Sequence, residues 1–210
     1  MNIVKLVIFD LDGTLVNSDK TVIRILNTIR KDLTLPALKS KDISFFLSLG
    51  GEEMISKIIG NNLDAKKYLG VFRQRYLEDS LGNENLFDGV VAYLNHLKNK
   101  NIKMAVFTNK PKDLTNKTLK RHKISNYFNY VVTSDDLEFK KPSPDGCYKL
   151  IEMSSIPSEN IIMIGDSELD QKAANSASIP FYYHNVLSND PIIASNSIKV
   201  FNNFNDLIKL

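Results

Sequence analysis

Residues 3–14 read Ile3-Val4-Lys5-Leu6-Val7-Ile8-Phe9-Asp10-Leu11-Asp12-Gly13-Thr14, an almost unbroken apolar run that stops on two carboxylates. The run is far short of the ~20 residues a membrane helix needs. It is also too continuous for a strand with one wet face, so Ile3–Phe9 is expected to be a strand covered on both sides, as in a parallel sheet. In open parallel sheets ligands gather beyond the carboxyl ends of strands, which is where Asp10 and Asp12 fall. Two carboxylates this close repel unless a cation bridges or separates them, and Gly13 permits a turn that a side chain would resist. An Asx-rich turn would use the same residues. Asp-x-Asp-Gly-Thr arises by chance at roughly 10⁻⁵ per position, so about one chain in several hundred of this length would carry it.

Outward from this stretch, short apolar runs alternate with helical patterns. Met104–Phe107, Tyr130–Val132, Ile161–Ile164 and Ile179–Tyr183 are further predicted strands. Between them Val90, Leu94 and Leu97 keep helical spacing, as do Cys147, Leu150 and Ile151. Such alternation predicts right-handed βαβ units and an α/β fold around a central parallel sheet. Residues 16–85 break the pattern with three helical stripes: Val22, Leu26, Ile29 and Leu33; Met54, Ile55, Ile58 and Ile59; Leu69, Phe72 and Tyr76. About seventy residues is much more than a crossover needs. The expected organisation is a core of residues 1–15 and 86–210, interrupted by an all-helical domain of residues 16–85.

Composition narrows the class of protein without naming a reaction. In 210 residues, 43% are hydrophobic and 24% charged, which is globular rather than disordered. A formal net charge of +3 is too small to imply nucleic acid by itself. The single cysteine, Cys147, excludes an internal disulfide and a multi-cysteine zinc site, as suits a reducing cytoplasm. Acidic Asp10 and Asp12 so early in the chain are not expected of a secretory leader. Lys and Asn number 22 each and Ile 21, a bias with no evident chemical purpose.

Three more chemical stations follow predicted strands. Thr108-Asn109-Lys110-Pro111 offers a hydroxyl and backbone N–H groups at a helix start, a ready phosphate cradle, although Thr108 alone reads as a plain N-cap. Lys140-Lys141-Pro142-Ser143-Pro144 holds a cation between prolines. Gly165-Asp166-Ser167-Glu168-Leu169-Asp170 closes the fourth strand; Ser167 and Asp170 have capping-box spacing, which leaves Asp166 unexplained. Singly these are ordinary turns. Together they put a nucleophile, a hydroxyl, a cation and an acid at four strand ends of one sheet.

In that order the stretches Val7–Leu15, Val106–Pro111, Lys141–Asp145 and Ile164–Asp170 resemble the haloacid dehalogenase superfamily of aspartyl-phosphate phosphatases. The likeness is to the branch with a helical cap between the first two motifs, and most to phosphoglycolate phosphatases. It implies a Rossmann-like three-layer core and a cap over residues 16–85 that selects the substrate. It implies Asp10 as nucleophile and Asp12 as general acid, then base. Lys141 would neutralise the nucleophile and phosphate, with Thr108 and the Asn109 backbone on the phosphate oxygens. Mg²⁺ would be held by Asp10, Asp166 and the Asp12 carbonyl, an all-oxygen set suited to a hard cation. His96, His122 and His184 match no ligand spacing, against zinc. Asp170 would bind metal through water or orient Lys141.

An acid at position 12 disfavours the superfamily's dehalogenases and phosphonatases, and Thr14 favours hydrolysis over the sugar phosphomutases. Asn17, Asp88 and Ser178 depart from common residues of the branch but lie outside the motifs. Gly50-Gly51 resembles the cap turn that reads the leaving group, and Gly50 is counted among the substrate-binding residues; a plain helix–helix turn would look the same. Arg73 and Arg75 are candidate carboxylate readers, or solvated helix residues. Lys110, Lys112, Lys117, Lys120, Arg121 and Lys123 form a basic stretch that reads as a solvated helix face, apart from Lys110 beside the phosphate station. Cys147, Tyr127 and Phe128 read as core.

The expected partner is a small phosphorylated metabolite, with no nucleic acid and no membrane, for a monomer or weak homodimer. Competing readings are a nucleotidase, a pyrophosphatase or a phosphomutase of the same superfamily. A regulator that only binds a phosphorylated ligand is the reading from outside enzymology.

Overall fold

The computed structural model describes residues 3–39, 51–60, 63–79, 84–186 and 190–208. The opening run forms strand β1, Leu6–Phe9, with all four residues fully buried. It begins at Leu6 rather than Ile3, because Ile3 is 75% exposed and has no core to enter. Along β1 the side chains alternate: Val7 and Phe9 join one apolar cluster, Leu6 and Ile8 another. The unbroken run therefore contains two interleaved period-two patterns, one for each face.

Two short strands follow, β2 (Val16–Asn17) and β3 (Asn85–Leu86), paired as a two-stranded sheet. The main sheet continues with β4 (Lys103–Phe107), β5 (Tyr130–Val132), β6 (Ile161–Gly165), β7 (Phe181–His184) and β8 (Lys199–Phe201). Its order is β5-β4-β1-β6-β7-β8, with every pair parallel. Numbered as six core strands this is 3-2-1-4-5-6, the doubly wound Rossmann order, whose direction of winding reverses between β1 and β6. The crevice beyond that reversal lies between the end of β1 and the end of β6. Asp10 and Asp166 are the first residues past those two ends.

Among the described residues the helices are α1 (Asp19–Asp32), α2 (Gly51–Ile59), α3 (Ala65–Glu78), α4 (Val90–Asn99), α5 (Lys112–Arg121), α6 (Asp145–Ser154), α7 (Glu168–Ser176), α8 (Pro191–Ser195) and α9 (Asn205–Ile208), of which α4 to α9 flank the sheet. Val90, Leu94 and Leu97 of α4, Leu119 of α5 and Leu207 of α9 pack with Val7 and Phe9. Cys147 and Leu150 of α6, Ala173 and Ala174 of α7 and Ile193 of α8 pack with Leu6 and Ile8. β7 starts after Pro180 rather than at Ile179. β8, whose Val200 is 41% exposed, carries too little apolar pattern to announce itself in the sequence. None of the described helices is long and apolar enough to cross a membrane.

The chain divides into two compact units, Met1–Val16 with Leu86–Leu210, and Asn17–Asn85. Among the described residues, the second unit holds α1 to α3. In α1 the buried stripe is Thr21, Ile25, Leu26 and Ile29, turned slightly from the expected Val22-Leu26-Ile29-Leu33. The α2 and α3 stripes are the expected ones. Arg24 pairs with Asp79 at 2.5 Å, and Arg75 binds Asp32 and the Thr28 hydroxyl, so both guanidinium groups tie this unit together.

Candidate active site

Asp10, Thr108 and Asp166 each sit where a buried strand stops, after β1, β4 and β6. Asp10 follows β1, its N–H donating to the Ile164 carbonyl of β6 at 2.9 Å. Beyond it Gly13 adopts φ 90°. A Cβ at this position would collide with the Asp166 carboxylate, so glycine is required both for the turn and for the close approach of the β6 loop. Thr14, fully buried, donates its hydroxyl to Asp166 Oδ1 at 3.1 Å.

Lys141 binds the strand ends together. Its ammonium donates to Asp10 Oδ1 at 2.5 Å, to Asp170 Oδ1 at 2.6 Å and to the Phe107 carbonyl at 3.0 Å, all buried. Of the two adjacent lysines, the buried one is thus Lys141, the one directly before the proline. Asp170 also accepts from the Ser167 N–H and hydroxyl through Oδ2, so it serves as capping-box acid and lysine partner at once. The Asn109 side chain clamps the Lys141 backbone in both directions, donating to its carbonyl at 3.1 Å and accepting from its N–H at 3.0 Å. The resemblance implies a role for the Asn109 backbone alone and gives no sign of this side-chain clamp.

Thr108 does not cap α5, whose N-cap is Pro111; its hydroxyl accepts from the Lys110 N–H at 3.1 Å. Lys110 reaches across to Asp12, with its ammonium 3.0 and 3.1 Å from the two carboxylate oxygens. Of the basic stretch 110–123, this cation belongs to the strand-end cluster. Its spacing in sequence, 98 residues from Asp12, gave no sign of the pairing. Gly50 lies outside the described residues.

One carboxylate oxygen from each of Asp10, Asp166 and Asp170 lies within 4.8 Å of the other two. Burial raises the proton affinity of Asp10; Lys141 opposes this and Asp170 adds to it. Asp166 is driven the same way, by desolvation first and by Asp10 and Asp170 next. Burial alone would lower the pKa of Lys141, but the two carboxylates reverse that and keep it charged. When all three carboxylates are ionised, one ammonium leaves the cluster with two negative charges in excess, which adds to the rise in proton affinity of Asp10 and Asp166. An all-oxygen donor set with that excess fits a hard divalent cation.

Comparison with known proteins agrees with this geometry. The family of haloacid dehalogenase-like hydrolases matches residues 7–183. The chain belongs to that family. A phosphoglycolate phosphatase of Aquifex aeolicus is 30% identical over 173 residues, spanning 82% of this chain and 81% of its own. The crystal structure of a predicted phosphoglycolate phosphatase from Haemophilus somnus 129pt superposes with a TM-score of 0.85 at 26% identity, covering 98% of this chain and 97% of its own. CbbY from Rhodobacter sphaeroides, solved with xylulose-(1,5)bisphosphate, shares the fold at TM-score 0.86 and 18% identity, with 98% and 96% covered. The chain is thus a phosphoglycolate phosphatase-like hydrolase of this family, and the expectations of an α/β Rossmann-like core and of a phosphoric monoester hydrolase are borne out.

Proposed function

We propose that this protein hydrolyses a small phosphate monoester with Mg²⁺, by way of an aspartyl phosphate on Asp10, and that phosphoglycolate is the first substrate to try. The observation that carries the reading is the buried Asp10–Lys141–Asp170 chain beside Asp166, at the switch point of the sheet. Lys141 engages Oδ1 of Asp10, so Oδ2 is the oxygen assigned to attack phosphorus, in line with the departing ester oxygen. As the P–O ester bond breaks, Asp12 gives a proton to the leaving alkoxide. It then takes one from the water that cleaves the acyl phosphate, returning Asp10 and releasing inorganic phosphate. Lys110, on both oxygens of Asp12, orients that carboxyl.

Thr108 and the Asn109 backbone lie at the strand end where the non-bridging oxygens would rest, with Lys141 balancing their charge. Asp10, Asp166 and the Asp12 carbonyl would hold Mg²⁺, with Asp170 kept for Lys141. When bound, the ion supplies positive charge that lets an anionic carboxylate approach an anionic phosphate. The helical unit Asn17–Asn85 is assigned the role of cap and leaving-group selector. A cytoplasmic location belongs to the same proposal and is in keeping with the single, buried thiol of Cys147.

The test is phosphate release from a panel of phosphorylated metabolites with and without Mg²⁺, comparing wild type with Asp10→Asn. Mg²⁺-dependent release by wild type alone is expected. Equal turnover by the two proteins would remove Asp10 as nucleophile, and a hexose 1-phosphate converted to its isomer without free phosphate would make the enzyme a mutase.

A further inference from the structure

The Gly13 carbonyl is held from β7 by a side chain that has no part in the chemistry above. His184, the last residue of β7, is fully buried, and its Nδ1 lies 3.1 Å from the Gly13 oxygen. The ring stands edge-on to Phe87, with centroids 4.7 Å apart, and within 5.2 Å of both Phe201 and Phe204. A carbonyl oxygen can only accept, so a hydrogen bond at this distance requires the hydrogen on Nδ1. Burial pushes the imidazole down to about 4, against the pull of backbone carbonyls, so the ring is neutral near pH 7.

Gly13 is a costly place for disorder. It directly follows Asp12, its N–H donates to the Val16 carbonyl at 2.8 Å, and its bare Cα face lies against the Asp166 carboxylate. The Gly13 carbonyl is also one end of the peptide that leads into Thr14, whose hydroxyl holds Asp166. Rotation of that peptide would move Asp12 on one side and the Thr14–Asp166 contact on the other. A histidine needed only to fill the aromatic pocket could be a leucine or phenylalanine; a bond to this oxygen requires a donor at the δ position.

We propose that His184 is a positioning residue for hydrolysis, its Nδ1–H bond to the Gly13 carbonyl fixing the Asp12–Thr14 turn and, through Thr14, Asp166. The kinetic consequence rests on the phosphatase reading; the contact itself does not.

Three measurements test it. Nitrogen-15 spectra of the wild-type imidazole should show the Nδ1–H tautomer at neutral pH. His184→Leu, which keeps apolar bulk but has no donor, should lower kcat about tenfold to a hundredfold with KM nearly unchanged, since small misplacements of reacting groups have that effect. His184→Asn, whose amide nitrogen stands at the same bond distance from Cα as Nδ1, should recover most of the lost kcat despite its smaller volume. An Nε2–H tautomer in the wild type overturns the proposal. So does a folded leucine variant with wild-type turnover, or a folded asparagine variant no better than leucine. If the leucine variant does not fold, the asparagine variant and the wild-type tautomer still decide. A wild-type protein that releases no phosphate from any substrate overturns the reading of the reaction instead, and the tautomer then decides the contact.

Discussion

The central residue is Asp10, whose carboxyl is pushed up to about 7 by burial, against the opposing charge of Lys141. Replacing it by asparagine removes the proposed nucleophile and one of three crowded negative charges. Asp10→Asn is therefore expected to lose at least about a thousandfold in turnover, a typical scale for an essential group. Its metal-free melting midpoint should stay within a few degrees of wild type, because Lys141 keeps Asp170. Calorimetry beside a phosphate-release assay checks both. Asn109 makes a different case, since its amide closes on the backbone of Lys141 rather than on its ammonium. Asn109→Ala should lower kcat by about tenfold to a hundredfold by letting the lysine drift. The chemistry-bearing residue types and their order could be read from the sequence. The Asn109 clamp and the Lys110–Asp12 pair could not, because each joins segments that are remote in sequence and polar side chains have no periodicity to betray their partners.

Among the elements, β1 sets the plan. A strand with one wet face would tolerate truncation on alternate residues, whereas both faces of β1 are core. Leu6→Ala and Phe9→Ala, on opposite faces, should each destabilise the fold, by about 2–5 and 3–5 kcal/mol respectively in denaturant titration. Near-wild-type stability of either would mean that one face is not packed. The strands flanking β1 were legible because four or five consecutive apolar residues announce a covered strand. β8 was not, since an edge strand with a half-exposed middle residue has only half the signal. In α1 the stripe slipped by one position because Thr21, a polar type, takes a buried place that a hydrophobicity pattern leaves blank.

At the scale of the whole molecule, charge and proton balance govern stability. Asp10, Asp166 and Asp170 outnumber Lys141 by two charges, so Mg²⁺ should bind the folded chain in preference to the unfolded one and raise its melting midpoint. The same titration on Asp166→Asn should give a much smaller rise. One acid-sensitive group is His184, buried and neutral with its pKa pushed down to about 4 from 6.5. The unfolded chain then binds more protons than the folded one between those values. The His184 contribution, about 3 kcal/mol, is full above about pH 6.5 and is lost as pH drops towards 4. Asp10 and Asp166, whose proton affinities are raised by burial, act in the opposite direction. His184→Asn should melt with a visibly shallower pH dependence over that window. The sequence by itself determined the parallel α/β class, the helical block between the first two motifs and the residue types at four strand ends, because burial periodicity and short-range spacing are local properties. Tertiary structure alone decided which charges meet: that Lys141 bridges Asp10 and Asp170, that Lys110 takes Asp12, and that a histidine at the end of β7 grips Gly13. Those pairings depend on the order in which strands lie side by side, and no short-range pattern in the chain encodes that order.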